Sequence, residues 1–121
     1  MARILLAEDE EILRMLVLDT LEDEGYEIDE AADGQEAYER LSENDYDLVI
    51  LDYMMPRMTG LEVVEKTRTI LKKKEIKMMI LSAKNQQTDR ERMKEAGADY
   101  FMSKPFSPQQ LLETIGEILG A

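Results

Sequence analysis

The chain of 121 residues has no cysteine and no histidine. The first absence excludes disulfides, thiolate chemistry and sulfur-ligated metals. The second removes imidazole as base, nucleophile or metal ligand. Any chemistry must come from carboxylates, hydroxyls, lysines and main chain, and a metal site must offer oxygen, which favours a hard ion such as magnesium. Cations are also scarce: Lys and Arg number 15 against 27 Asp and Glu, a formal net charge of −12. Such a surface repels a phosphate backbone, so direct nucleic-acid binding is not expected. No apolar run approaches a membrane span. The opening MARILLAEDE runs from a short apolar stretch straight into acid, unlike a signal peptide. These features point to the cytoplasm of a bacterium.

What is present suits one globular domain over residues 1–121, with 44 % apolar and 35 % charged residues. Five short strand patterns, the second less apolar and suited to an edge, alternate with five helical patterns. The expected strands are Ile4 to Ala7, Glu27 to Ala31, Leu48 to Leu51, Ile76 to Leu81 ending at Ser82, and Asp99 to Met102. The expected helices are Glu11 to Glu24, Asp33 to Ser42, Leu61 to Leu71, Gln86 to Ala96, and a last one capped by Ser107 and ended by Gly120. In the first helix Ile12, Leu13, Leu16, Val17, Leu18 and Leu21 predict a broad buried face. The fourth has thin apolar content, Met93 and Ala96. Strands one, three and four lack strict alternation, as strands covered on both faces do. The pattern predicts an α/β fold, a five-stranded parallel sheet with helices on both faces.

The organising stretch is LVILDYMMPRMTG, in which an apolar run delivers Asp52 at its exit. In a doubly wound sheet the C-terminal strand ends lie together. Strand one then brings Glu8 and Asp9, strand three Asp52, strand four Ser82 and strand five Lys104. Clustered carboxylates repel unless a cation joins them. Magnesium would do so, with water and a main-chain carbonyl completing its shell. A carboxylate can attack phosphorus and form an acyl phosphate, and such a transfer needs charge neutralisation and alignment more than a base. Asp52, the acid at the exit of the most apolar central strand, is the expected nucleophile, with Lys104 and Ser82 each holding a phosphoryl oxygen. Taken singly, each residue has an ordinary reading. Asp9 is a helix cap, Asp52 a turn residue, Ser82 a cap or turn former, Lys104 a solvated lysine. Met54, Met55, Met78 and Met79 are core or loop filler. Their joint appearance at one end of consecutive strands favours the site.

The motifs ILLAEDE, LDYMMPRMTG, ILSAK and GADYFMSKPF together closely resemble the receiver domain of bacterial two-component response regulators, over Ile4 to Leu119. The resemblance implies a flavodoxin-like (βα)5 fold with strand order 2-1-3-4-5. It implies a phosphoacceptor rather than a conventional enzyme. Asp52 would be phosphorylated by a sensor histidine kinase or histidine phosphotransfer protein docking near the first helix. Glu8, Asp9, Asp52 and the Met54 main-chain oxygen would serve Mg²⁺. Ser82 would move to the phosphoryl group and Phe101 would be the switch aromatic. The surface of the fourth helix, fifth strand and fifth helix would control a downstream protein or fused output domain. A weak or phosphorylation-induced homodimer fits the same resemblance. The Lys104–Pro105 bond would be cis. The chain departs from the family pattern at Glu8, where Asp is commoner, and at Thr59, where Asp is usual. Met54 and Lys84 would flank the path of the hydrolytic water. The last helix lacks the arginine-rich ending common in receivers fused to winged-helix DNA-binding domains. Two rivals remain: a phosphatase using an aspartyl phosphate, and a binding module independent of phosphorylation.

Overall fold

In the computed structural model, which describes residues 2–83 and 87–120, ten elements alternate. They are β1 (Arg3–Ala7), α1 (Glu11–Glu22), β2 (Glu27–Ala31), α2 (Gly34–Glu43), β3 (Leu48–Asp52), α3 (Gly60–Thr69), β4 (Lys77–Ser82), α4 (Gln87–Ala96), β5 (Tyr100–Ser103) and α5 (Pro108–Gly120). The strands form one parallel sheet in the order β2-β1-β3-β4-β5. The chain thus reverses direction across the sheet beside β1 and β3, the place where open α/β sheets leave a crevice at their carboxyl ends.

Both faces of the sheet are covered. On one, Leu5, Val49, Leu51, Met78 and Ile80 pack against Ala37 and Leu41 of α2, Val63 and Val64 of α3, and Met93 of α4. On the other, Ile4, Leu6, Ile50, Met79 and Leu81 pack against Val17 and Leu21 of α1 and Leu111 and Ile115 of α5. β3 is buried along its whole length, as its unbroken apolar run predicts. β2 lies at an edge with Glu27 and Glu30 exposed, which discourages further strand pairing.

Local signals place the helix starts. Asp33 accepts the Glu36 N–H at 2.8 Å, while the Glu36 carboxylate reaches the Ala32 N–H. Thr59 and Glu62 form a reciprocal capping box at α3, so the exchange of Asp for Thr before Gly60 keeps a capping oxygen. Ser107 and Gln110 form the same pair at α5.

The broad buried face expected of α1 is narrower than its apolar pattern. Val17 and Leu21 are buried and Leu13 and Leu18 partly so, but Ile12 is 79 % exposed, Met15 54 % and Leu16 49 %. Only one flank of the helix meets the sheet. Ile70, at the C-cap of α3, likewise faces out. α4 follows its thin apolar content: Met93 is its only buried side chain among the described residues. Its C-terminal end is tied by Arg68, which donates to the Gly97 oxygen at 3.1 Å, to Asp99 at 2.9 Å and to the Lys73 oxygen at 2.9 Å. Lys73, just beyond α3, donates to the Leu41 and Asn44 oxygens at 2.6 and 2.8 Å, closing the end of α2.

Candidate functional site

The strand exits meet. β1 delivers Glu8 and Asp9 immediately past Ala7, and β3 ends on Asp52. Carboxylate oxygens of Glu8, Asp9 and Asp52 all lie within 4.8 Å of one another. Asp52 is in register with Leu81 on β4, so Ser82 follows one position on, at the strand exit, and is buried. Lys104 follows β5, its bond to Pro105 is cis, and its main-chain N–H donates to the Ser82 oxygen at 2.9 Å. Its ammonium stands 3.0 Å from Glu8 Oε1 and 3.0 Å from Asp52 Oδ1.

The backbone around Asp52 is closely held. The Tyr53 N–H donates to the Leu81 oxygen and the Gly60 N–H to the Tyr53 oxygen, both at 2.9 Å. A Cβ at Gly60 would come within 2.4 Å of the Asp52 carbonyl oxygen, so this turn needs glycine for close approach. Met54 follows in the loop with its side chain 61 % exposed, whereas Met55, Met78 and Met79 are buried core residues.

Electrostatically the site is under tension. Glu8 is buried, and its pKa is pushed up to about 7, first by burial, then by a hydrogen bond shared with Asp52 and by the charge of Asp52. Lys104 and the Glu10 N–H, the latter 3.2 Å from Glu8 Oε2, pull the other way. Burial alone would lower the Lys104 pKa, but its hydrogen bonds to Asp52 and Glu8 outweigh this and raise it. One ammonium does not balance three carboxylates. An all-oxygen cluster of this size, with a carboxyl held this far above its ordinary range, fits a divalent hard cation.

Asp9 is not the helix cap. That position belongs to Glu10, whose side chain makes no capping bond, and Asp9 is exposed at the carboxylate cluster. Phe101 is half-buried on the sheet face shared with Met93 and Ala98. Lys84 and Gln86, the latter expected to open the fourth helix, lie outside the described residues. The sequence reading missed Arg14, whose guanidinium donates to the Glu8 main-chain oxygen at 2.7 Å. An arginine on a helix flank carries no sequence signal that separates it from a solvated one.

A groove of about 720 Å³ lies at the opposite edge of the sheet, lined by Lys72, Lys73, Lys74 and Lys77 together with Asp45, Asp47, Glu75 and the end of α5. It is remote from the Asp52 cluster.

The profile described as "Response regulator receiver domain" matches residues 4–116. The chain belongs to the response regulator receiver domain family. This receiver domain is 40 % identical over 116 residues to the transcriptional regulatory protein SrrA of Staphylococcus aureus, covering 96 % of the chain and 47 % of SrrA. The chain therefore spans about half the length of the curated relatives it matches. The chemotaxis response regulator CheY4 of Vibrio cholerae superposes with a TM-score of 0.92 at 35 % identity, over 98 % of this chain and 99 % of that one. The receiver domain of the Pseudomonas aeruginosa sensor histidine kinase PA1611, with a magnesium ion coordinated in its active site cleft, matches with a TM-score of 0.86 at 25 % identity, over 99 % and 98 % of the two chains. Receiver domains act as phosphoacceptors rather than conventional enzymes, and this one carries the acidic cluster that such a role requires.

Proposed function

We propose that residues 1–121 form a single phosphoacceptor domain in which Asp52 takes a phosphoryl group from a sensor histidine kinase or a histidine phosphotransfer protein. The observation that carries this reading is the convergence of Glu8, Asp9 and Asp52 within 4.8 Å, with Lys104 bridging Glu8 and Asp52, at the carboxyl edge of the sheet. Glu8, Asp9, Asp52 and the Met54 main-chain oxygen would hold Mg²⁺, whose bound charge neutralises phosphoryl oxygens during transfer.

An Asp52 carboxylate oxygen attacks phosphorus, the bond from phosphorus to the donor nitrogen breaks, and the nitrogen keeps the electron pair. Asp52 is well placed for this, since its backbone is held on both sides and needs no rearrangement. Lys104 exchanges its contact with Asp52 for a phosphoryl oxygen, as a point charge on a flexible stem can do. Ser82 donates to another phosphoryl oxygen. The inward movement of Ser82 leaves room on its face of the sheet, into which Phe101 turns. Because α4 has one buried anchor among the described residues, the surface of α4, β5 and α5 changes with it and controls a downstream protein or a fused output domain.

The donor docks beside α1. Exposed Ile12, Met15 and Leu16 supply the apolar part of that surface next to the acidic pocket. The net charge of −12 opposes direct nucleic-acid contact by this domain. No described helix is long and apolar enough to cross a membrane, and we place the domain in the bacterial cytoplasm with its kinase. Phosphorylation-induced pairing of two copies belongs to the same proposal.

Incubation with acetyl phosphate and Mg²⁺, followed by intact mass, tests the chemistry. One added phosphoryl group is expected, lost in Asp52→Ala and without Mg²⁺. An adduct that survives Asp52→Ala, or no adduct at all, overturns the reading. Turnover of a small phosphomonoester would turn it toward a phosphatase.

A further inference from the structure

Arg14 sits one turn into α1 and takes no part in the chemistry above. Its side chain is only 18 % exposed and runs back over the start of its helix. There Nη1 meets the Glu8 main-chain oxygen at 2.7 Å, and Nε stands 3.4 Å from Glu30 Oε1 on β2. An exposed arginine–glutamate pair is by itself worth little. The short charge-assisted bond to a carbonyl is the stronger contact.

The accepting oxygen belongs to the peptide unit that joins Glu8 to Asp9. That unit is planar, so holding its oxygen fixes the direction in which Asp9 leaves it. Glu8 itself is tied elsewhere: its N–H donates to the Ala31 oxygen at 3.1 Å, and its carboxylate oxygens accept from Lys104 and the Glu10 N–H. Asp9 is exposed and takes its aim from the peptide before it.

We propose that Arg14 is a positioning residue for the divalent-cation site: it clamps the Glu8–Asp9 peptide so that the Asp9 carboxylate faces Glu8 and Asp52, and Glu30 holds Arg14 in that pose. The inference rests on reading Glu8, Asp9 and Asp52 as the magnesium site. Groups that orient metal ligands in this way commonly change affinity by about 10–100-fold when removed. Lysine cannot replace the guanidinium fully, because one ammonium on a shorter stem reaches one partner and not both.

Mg²⁺ titrations of the full chain, followed by the Asp9 and Asp52 amide resonances, test this in the wild type, Arg14→Met, Arg14→Lys, Glu30→Gln and Arg14→Met/Glu30→Gln. Thermal melts without metal report folding separately. Arg14→Met is expected to raise the Mg²⁺ dissociation constant by about 10–100-fold, Arg14→Lys by less, and Glu30→Gln by a few-fold. The double variant should match Arg14→Met alone, because Glu30 acts only through Arg14. A dissociation constant for Arg14→Met within twofold of wild type overturns the proposal, as does a full additional loss in the double variant. If Arg14→Met does not fold, Glu30→Gln decides: a few-fold loss supports the clamp and an unchanged constant overturns it. A wild-type chain that binds no Mg²⁺ removes the site reading itself, and the clamp with it.

Discussion

Glu8 keeps its carboxyl where water is almost excluded, one charge too many beside Asp52. Its pKa near 7 in the folded chain stands above the ordinary 4.5. The folded state therefore binds more protons than the unfolded one across that window. The stabilisation is fully present below 4.5 and is lost as pH rises through 7. The metal-free protein should accordingly melt several degrees lower at pH 8 than at pH 5, measured by circular dichroism, and Glu8→Gln should flatten much of that slope. The same proton must leave when a cation binds, so Mg²⁺ affinity should rise between pH 6 and 8, with proton release visible by calorimetry in buffers of different ionisation heat. At Gly60 the limit is steric. A methyl group there meets the Asp52 carbonyl oxygen at 2.4 Å, backbone against which no side chain can yield. Gly60→Ala should cost about 1–3 kcal/mol in urea unfolding and slow phosphoryl uptake roughly tenfold to hundredfold by displacing the acceptor.

Elements show where sequence patterns inform and where they stop. Apolar runs closed by a polar residue located the exits of β1, β3 and β4, because a strand buried on both faces must be apolar throughout and can turn polar only where it leaves the sheet; β2, an acidic edge strand, offered no such signal. Capping spacings at Asp33 and Ser107 were local and therefore legible, and the structure adds a third capping pair at Thr59. In α1 the hydrophobic stripe is real, but hydrophobicity alone does not say which part the sheet covers, and Ile12, Met15 and Leu16 stay outside. The role of Lys73 was not legible, because its partners, the Leu41 and Asn44 carbonyls, lie 32 and 29 residues away in sequence. Arg14 was invisible for another reason: its partner, six residues back, is a main-chain oxygen such as every residue carries. Thr59→Ala should destabilise the chain by about 1 kcal/mol through loss of the α3 cap. Lys73→Met should cost about 1–3 kcal/mol by leaving carbonyls at the end of α2 without a donor, while Mg²⁺ affinity stays unchanged, since that contact lies at the other edge of the sheet. Urea unfolding and a metal titration on each variant check both statements.

At the scale of the whole molecule, a switch needs a firmly held part and a loosely held part. The five strands and the helices α2, α3 and α5 share deep cores, whereas α4 is tied at its C-terminal end by Arg68 and anchored along its length by Met93 alone among the described residues. With Mg²⁺ and beryllofluoride, amide shifts should spread from Asp52 across α4, β5 and α5; shifts confined to the loops around the carboxylates would defeat the switch. The strand order came from the family resemblance, whereas the meeting of Glu8, Asp9, Asp52 and Lys104 was legible because a parallel sheet gathers its strand ends at one edge. The opposite edge has its own character. Lys66, Arg68, Lys72, Lys73, Lys74 and Lys77 are six of the chain's 15 cations, and the helix that carries the first two runs toward that edge. Acids interleave with them there: Asp45, Asp47 and Glu75 line the same groove, Lys73 pairs with Asp45 and Arg68 with Asp99, so that edge is a surface of mixed charge on a domain whose total is −12. A cationic partner is therefore drawn by the charge of the whole domain, and raising the ionic strength from 0.01 to 0.15 M, where the screening length falls from about 30 to 8 Å, should slow its association.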